Sequence, residues 1–383
     1  MTTAPTASST TRPWTWRRRR GADTPLPVSE SQVLDALRVV TDPDLGRDIV
    51  SLGFVKNVRV SDGTVGFTIE LTTPACPVRE QMRQQAREAV AALPGVGGVD
   101  VTMTARVRGS PGPVKERLIP SVKNVIPVAS GKGGVGKSTV SANLALALAS
   151  TGARVGIMDA DVYGPTIPTL MNVHTLPKPT IEGTVPAEQY GIKIISMGFF
   201  LREDDAIIWR GPMLHKTVQH FLGNVLWGDL DYLIVDLPPG TGDVQLTLCQ
   251  AIPLTGAAVV STPQDVALKV AQKAISMFNQ LNTPVLGIIE NMASYLCPCC
   301  GARDEIFGSG GARRAADRLG VPFLGEIPLA TAIRKSSDAG RPVVLDAESP
   351  LARAYLTVAE NLAAQVSTRN MQRELTPLVQ IQF

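Results

Sequence analysis

Nine consecutive residues carry the most specific chemistry in the chain: Gly131-Lys132-Gly133-Gly134-Val135-Gly136-Lys137-Ser138-Thr139. Gly, four residues, Gly, Lys and Ser/Thr is the spacing of a phosphate-binding loop. It stands where such a loop must, between an apolar β-like run (125–129) and a helical pattern (140–149). Glycines let the backbone curl until its N–H groups point inward at anionic oxygens, and the following helix offers its positive end. Lys137 adds a cation, and the Ser138 hydroxyl can ligate magnesium. Lys132 is surplus to that cradle: it is either a solvated charge or has a separate job.

Further groups recur at the ends of apolar runs. Asp159-Ala160-Asp161 follows the run 155–158. Carboxylates there can meet a magnesium shell or orient an attacking water, although acids after strands also cap helices. Asp236 ends Leu233-Ile234-Val235 and precedes Leu237-Pro238-Pro239-Gly240-Thr241-Gly242-Asp243. An apolar strand closing on one acid is how a phosphate-loop enzyme holds magnesium, and glycines such as Gly240 let backbone N–H groups sense a terminal phosphate. Asn291 closes the run 285–290. Its carboxamide has the donor and acceptor needed to read an adenine edge, though an asparagine there also serves as a turn residue.

Cys297-Pro298-Cys299-Cys300-Gly301 follows, in a loop by composition. The C-x-x-C spacing of Cys297 and Cys300 lets two thiolates face one metal, and an iron-sulfur cluster or a structural zinc wants four ligands. A symmetric dimer in which two loops give two cysteines each is the economical solution. A redox dithiol or plain buried thiols are the alternatives; the residues after Cys300 do not read as the helix start a redox pair would have.

These groups need rigid positions. Short apolar runs (125–129, 155–158, 192–197, 232–235, 257–261, 285–289 and 322–327) alternate with helical segments, a pattern of strands covered on both faces. The expected fold class is α/β: a doubly wound, mostly parallel sheet of the P-loop NTPase kind, with active groups at the strands' carboxyl ends. A small α+β domain (29–107) precedes it. Val33, Leu34, Leu37 and Val40 mark one helix face, and two β-like runs (55–60, 65–71) join through Ser61-Asp62-Gly63. A helix (77–93) and a strand (99–107) complete it. The expected organisation is a disordered basic tail (1–28), the small domain, a Pro/Gly-rich linker (108–121), the P-loop ATPase domain (122–366) and a C-terminal tail (367–383). Leu351, Tyr355, Val358, Ala359, Leu362 and Val366 give the last helix an apolar face with few cations, expected to pack on the sheet rather than on a membrane.

Charge and cysteine usage exclude several classes. Of the 383 residues, the first 22 hold five arginines and no acid, leaving 32 basic against 34 acidic residues in the remainder. A slightly acidic body argues against gripping nucleic acid. No apolar run reaches membrane-spanning length, and the arginine run lacks the apolar segment of a secretory signal, so it reads as a plain tail or an over-called start rather than a transit peptide. Five cysteines, few and clustered, suit reduced thiols in the cytoplasm.

Together the motifs resemble the Mrp/ApbC family of iron-sulfur carrier ATPases, within a larger group of dimeric P-loop ATPases that includes MinD, ParA and the nitrogenase iron protein. The resemblance covers most of 122–366. It rests on GKGGVGKST, DADVYGPTIP (159–168), DLPPGTGD (236–243), STPQDVAL (261–268), ENM (290–292) followed by the C-x-x-C, and IFGSGG (306–311). It implies an ATP- and Mg2+-binding homodimer that carries a 4Fe-4S cluster from an assembly scaffold to iron-sulfur apoproteins, with no nucleic acid or membrane partner. It further implies that residues 131 and 133–139 cradle the nucleotide, that Lys132 crosses to the partner's phosphates, and that Asp161 positions water. Asp236 would serve magnesium, Asn291 adenine, and Cys297 and Cys300 a cluster bridging two subunits.

The sequence departs from that pattern at Cys299, which is extra, and at Ala330, near which the family usually has an acid. Residues 29–107 resemble the SufT-type small domain through Asp42-Pro43-Asp44 and Thr72-Thr73-Pro74-Ala75-Cys76-Pro77. Cys76, just before a helix, is expected to have its thiol pKa lowered by the helix's positive end. Two other readings remain: a MinD/ParA-like positioning ATPase acting on membrane or DNA without a cluster, and the same dimer with structural zinc.

Overall fold

The structure, a computed structural model, describes residues 28–109, 118–200 and 211–375. The expected basic tail, apart from Val28, most of the expected linker and the last eight residues of the expected C-terminal tail lie outside the described residues.

The chain begins with α1 (Glu30–Leu37), started by a capping box in which Ser29 accepts from the Gln32 N–H and Gln32 accepts from the Ser29 N–H. A short antiparallel pair, β1 (Thr41–Asp42) and β2 (Arg47–Asp48), leads to the hairpin of β3 (Val55–Ser61) and β4 (Thr64–Leu71). Its two-residue turn is Asp62-Gly63, with φ of 47° and 76°, a left-handed pair that matches the twist of the strands. Along β4, Val65, Phe67, Ile69 and Leu71 are buried in alternation, the period of a sheet covered on one face. That cover is α1 and α2 (Arg79–Ala91), whose Val33, Leu37, Met82, Ala86 and Val90 join the same core; β5 (Gly98–Ala105) then pairs parallel to β4.

Among the described residues the large sheet has nine strands. In chain order come β6 (Val122–Ser130), α3 (Lys137–Ser150), β7 (Val155–Asp159), α4 (Ile167–Leu170), β8 (Ala187–Gln189), β9 (Ile192–Ser196) and α5 (Gly211–Gly223). There follow β10 (Leu230–Asp236), α6 (Asp243–Ala251), β11 (Ala257–Ser261), α7 (Asp265–Gln280), β12 (Val285–Leu296) and β13 (Arg303–Asp304). The chain closes with α8 (Gly311–Leu319), β14 (Phe323–Leu329), α9 (Thr331–Asp338) and α10 (Pro350–Leu375). The strand order is β13-β12-β11-β6-β10-β7-β9-β8, with β14 also on β12. All pairings are parallel except those of β8 and β13. Every residue of β10 is buried, because one apolar cluster covers each face of the sheet. The doubly wound α/β architecture with a small α+β unit ahead of it is as expected.

Two elements depart from expectation. The run expected to close at residue 290 continues as strand to Leu296, passing through Met292 at φ 57° and a register shift against β14. A left-handed residue inside a strand breaks its alternation, which hides the continuation from periodicity. Residues 367–375, expected to be tail, are the end of α10. Upstream, Tyr355, Val358, Ala359, Leu362 and Val366 pack in the sheet's core as expected, whereas Met371 lies in the core of the small unit. Asn370 donates to Arg108 O (3.0 Å) and Asn124 Oδ1 (2.9 Å), Ser367 donates to Thr72, and Thr73 Oγ1 shares a hydrogen bond with the buried Tyr232 hydroxyl at 3.1 Å. The small sheet is thereby held against α10 and β10.

Removing the Tyr232 hydroxyl leaves the buried Thr73 Oγ1 with the Ala75 N–H (3.2 Å) as its remaining partner, a loss of about 0.5–1.5 kcal/mol. Tyr232→Phe should therefore lower the denaturant midpoint of the full chain. An unchanged midpoint would show that the Thr73 contact contributes nothing.

Candidate functional site

The phosphate loop leaves β6 at Ser130 and enters α3 at Lys137. Gly136, the N-cap of α3, has φ 79°, and a Cβ there would lie 2.3 Å from Asn291 Nδ2; both the backbone and the space require glycine. Residues 132–139, with Ser130, Asp161, Thr166, Leu170 and Pro239, line a cleft of about 270 Å³. Gly133, Gly134, Val135, Gly136, Lys137, Ser138 and Thr139 thus share one concavity at the positive end of a 14-residue helix. Gly131 stands at the loop's start against the backbone of α7. Gly240 joins from the side, its N–H donating to Ser130 O at 2.9 Å.

At the floor lies Asp236, fully buried. Its Oδ2 accepts from Lys137 Nζ (2.7 Å) and Ser138 Oγ (2.6 Å), and its Oδ1 from Ser141 Oγ (2.6 Å). Lys137 also faces Asp161 Oδ2 at 3.6 Å. Burial, with the neighbouring Asp236 charge and against the Lys137 ammonium, raises the Asp161 carboxyl above its ordinary pKa. Asp159 does different work. Its carboxylate accepts from Ser196 Oγ (2.9 Å) and from the N–H groups of Asp161 (3.1 Å) and Ile167 (3.1 Å). It braces the loop that carries Asp161, and burial followed by the Asp236 charge pushes it up to about 7. The Ser138 hydroxyl beside buried carboxylate oxygens is a hard, all-oxygen donor set of the kind magnesium takes, so these residues fit that ion.

Asn291 is behind the loop rather than beside an open base pocket. Its Nδ2 donates to Val135 O at 2.8 Å. Lys132 Nζ stands 3.3 Å from Gln264 Oε1. Three residues absent from the sequence-based set belong here. Ser141 holds the second oxygen of Asp236; one turn after Lys137, its helical spacing could have revealed it. Glu290, fully buried, accepts from the Gly310 and Ala312 N–H groups (3.0 and 2.5 Å) and anchors the start of α8. Gln264 is the acceptor for Lys132, and no sequence signal marks either long-range contact.

Cys297 and Cys300 are not in the cleft. They sit on the turn joining β12 to β13, where Tyr295 and Leu296 pair with Asp304 and Arg303. The turn closes through Gly301 N–H to Cys297 O (2.9 Å) and Cys297 N–H to Ala302 O (3.0 Å), with Gly301 at φ 70°. Backbone N–H groups of Cys300 and Cys299 face the Cys297 sulfur and lower its pKa, which favours a thiolate ligand. Cys299 and Cys300 are exposed, and all five cysteines are free. Among the described residues no set of three or more His, Cys, Asp or Glu side chains could hold a metal within one chain.

Cys76 corrects an expectation. Burial, reinforced by Asp42, Asp44 and Glu360, pushes its thiol up to about 11, outweighing the Val78 N–H that favours the thiolate. Cys249 is buried in the core, and burial pushes its thiol up to about 12.

A family model described as NUBPL iron-transfer P-loop NTPase matches residues 121–363, and one described as iron-sulfur cluster assembly protein matches 30–101. The iron-sulfur cluster carrier protein of Synechocystis is 46% identical over 347 residues, spanning 89% of this chain and 98% of that protein. Its Escherichia coli namesake is 42% identical over 333 residues, spanning 85% and 89%. A solved nucleotide-binding protein of Archaeoglobus fulgidus, in complex with ADP, is 45% identical with a TM-score of 0.54, covering 60% of this chain and 90% of that one.

With its pKa near 11, Cys76 should be alkylated by iodoacetamide at a rate that climbs about tenfold per pH unit from pH 7 to 9.5. Peptide mass spectrometry of the native chain reads this directly, and a plateau below pH 9 would contradict it.

Proposed function

We propose a function from one premise: the chain belongs to the NUBPL-type iron-transfer P-loop NTPase family. The protein binds and hydrolyses ATP as a homodimer. It accepts a 4Fe-4S cluster as cargo on Cys297 and Cys300 of two chains and passes it to iron-sulfur apoproteins. The observation that carries this reading is the hydrogen bond from Asn291 to Val135. It fastens the nucleotide loop to β12, and the same strand ends in the thiol turn. Strain or ordering in the loop can therefore be passed along one strand to the cargo, and the coupling must act in both directions.

In the cleft, inward-facing N–H groups of residues 133–139 receive the phosphates, and the triphosphate competes with Asp236 for Lys137. Ser138 and Asp236 would hold magnesium, which would supply charge neutralisation of the phosphate oxygens. Asp161, more basic than an ordinary carboxylate, orients the attacking water and can take its proton. Lys132 reaches the partner's phosphates, in the manner of an arginine finger. A 4Fe-4S cluster wants four thiolates and each turn offers two at C-x-x-C spacing, which supports pairing of chains. Free thiols in all five cysteines suit a reducing cytoplasm. A positioning ATPase on membrane or DNA would use the same cleft but would leave the thiol turn without a role.

Anaerobic reconstitution separates the carrier from that reading. Cys297→Ser/Cys300→Ser should retain ATP binding and lose the iron and labile sulfide that the wild type takes up; equal uptake sinks the carrier assignment, and zinc without sulfide in the wild type would make the site structural. Lys132→Ala should bind ATP normally and lose at least about 10³-fold in turnover. Unchanged turnover would count against a trans-acting lysine.

A further inference from the structure

Lys132 has a partner within its own chain that the proposed function does not use. Its Nζ stands 3.3 Å from Gln264 Oε1, and the backbone on both sides of that contact is fixed by close packing. Gly131 is pressed on α7: a Cβ there would lie 2.5 Å from the Val270 carbonyl carbon and 2.7 Å from Ala271 N. On the other side Gly311 lies against Pro263, whose carbonyl oxygen would be 2.3 Å from an added Cβ. Glu290 ties down the flanking Gly310 and Ala312. Only two flexible side chains decide whether the contact is made.

Gln264 is the N-cap of α7, with φ −61° and ψ 133°, yet its side chain makes no capping hydrogen bond. A polar side chain at that position ordinarily turns an oxygen onto the helix's free N–H groups. Here the oxygen serves an ammonium. The location is a poor one for a cation, because the start of a 16-residue helix carries partial positive charge, relieved by Asp265 in the first turn. A long, single-point contact at such a place holds a lysine only weakly, and phosphate oxygens bearing several charges can outcompete it.

We propose that Gln264 is a parking acceptor: it holds Lys132 in cis in the single chain, and this contact must break before Lys132 reaches the partner's phosphates. The inference rests on the trans-acting reading of Lys132 given above. The parked contact then opposes nucleotide-driven pairing, and because each chain gives up one, its effect enters the dimer constant twice. A partly exposed contact to a charge shifts an equilibrium by about two- to fivefold, so the dimer constant should move by about four- to twenty-fivefold.

The test is the dimer dissociation constant of the full chain, measured by analytical ultracentrifugation with magnesium and a non-hydrolysable ATP analogue. Gln264→Leu removes the acceptor and should tighten the dimer by that factor. Gln264→Glu makes the acceptor a carboxylate and should weaken it. Opposite shifts are not what general damage to α7 produces, and both should vanish in a Lys132→Ala background. Shifts in the same direction, no shift, or shifts that survive Lys132→Ala overturn the parking role. If Lys132→Ala weakens the dimer while the Gln264 variants leave it unchanged, the parking role alone fails. If Lys132→Ala pairs as well as wild type, or the wild type does not pair with the analogue, the trans-acting reading fails and takes the parking role with it.

Discussion

Everything at the nucleotide end hangs on one buried carboxylate. Asp236 has no solvent exposure and is satisfied by three donors from the first turns of α3, two on one oxygen and one on the other. An unpaired charge at that depth would cost several kcal/mol, and removing one partner of a buried pair typically costs about 3–5 kcal/mol. The carboxylate therefore locks the register between β10 and the helix that follows the phosphate loop. It also sets a limit on ligand binding: a nucleotide must offer Lys137 and Ser138 interactions at least as good as those they leave.

A second constraint runs along β12. Its middle carries Asn291, which clamps the loop from behind, and Glu290, which caps the start of α8; its end carries the thiols. The strand is bent at Met292, φ 57°, so its two halves pair differently with β14. A bulge re-aims a strand without ending it, and here the strand continues past it to pair with β13 and end at the C-x-x-C turn. On that turn Cys297 is half-buried and Cys300 exposed, and among the described residues no set of three or more His, Cys, Asp or Glu side chains could hold a metal. Lys132 is in a related position, since among the described residues its ammonium meets one neutral oxygen at a positive helix end.

The amino-acid pattern made much of this legible. Strict spacing from Gly131 to Thr139 announced the loop because its glycines, Lys137 and Ser138 each answer a backbone or charge requirement of phosphate binding, which left Lys132 as the surplus letter. Short apolar runs such as 232–235 and 257–260 announced a sheet covered on both faces. Asp236 was readable because a lone acid closes an apolar run. Misreadings arose where one residue's meaning depends on distant chain. Cys76 precedes a helix, which by itself lowers a thiol pKa, but Asp42, Asp44 and Glu360 converge on it from elsewhere and burial reverses the sign. Residues 367–375 look like a polar tail, yet Met371 finds a pocket in the small unit and Asn370 bridges Arg108 and Asn124.

By itself the sequence determined the local chemistry: a glycine-rich loop at a strand-to-helix turn, an acid ending an apolar strand, and a pair of thiols at ligand spacing. Each follows from short-range backbone geometry and side-chain type, which spacing along the chain encodes directly. Only the tertiary structure decided which oxygen Lys132 meets, that Asn291 grips the loop, that Asp159 braces while Asp161 faces the cleft, and that Cys76 stays protonated. Those outcomes depend on desolvation and on polar groups brought together from distant parts of the chain, more than a hundred residues apart in the contacts Lys132–Gln264 and Asn291–Val135. Both effects are set by packing, and the linear order of the chain does not record them.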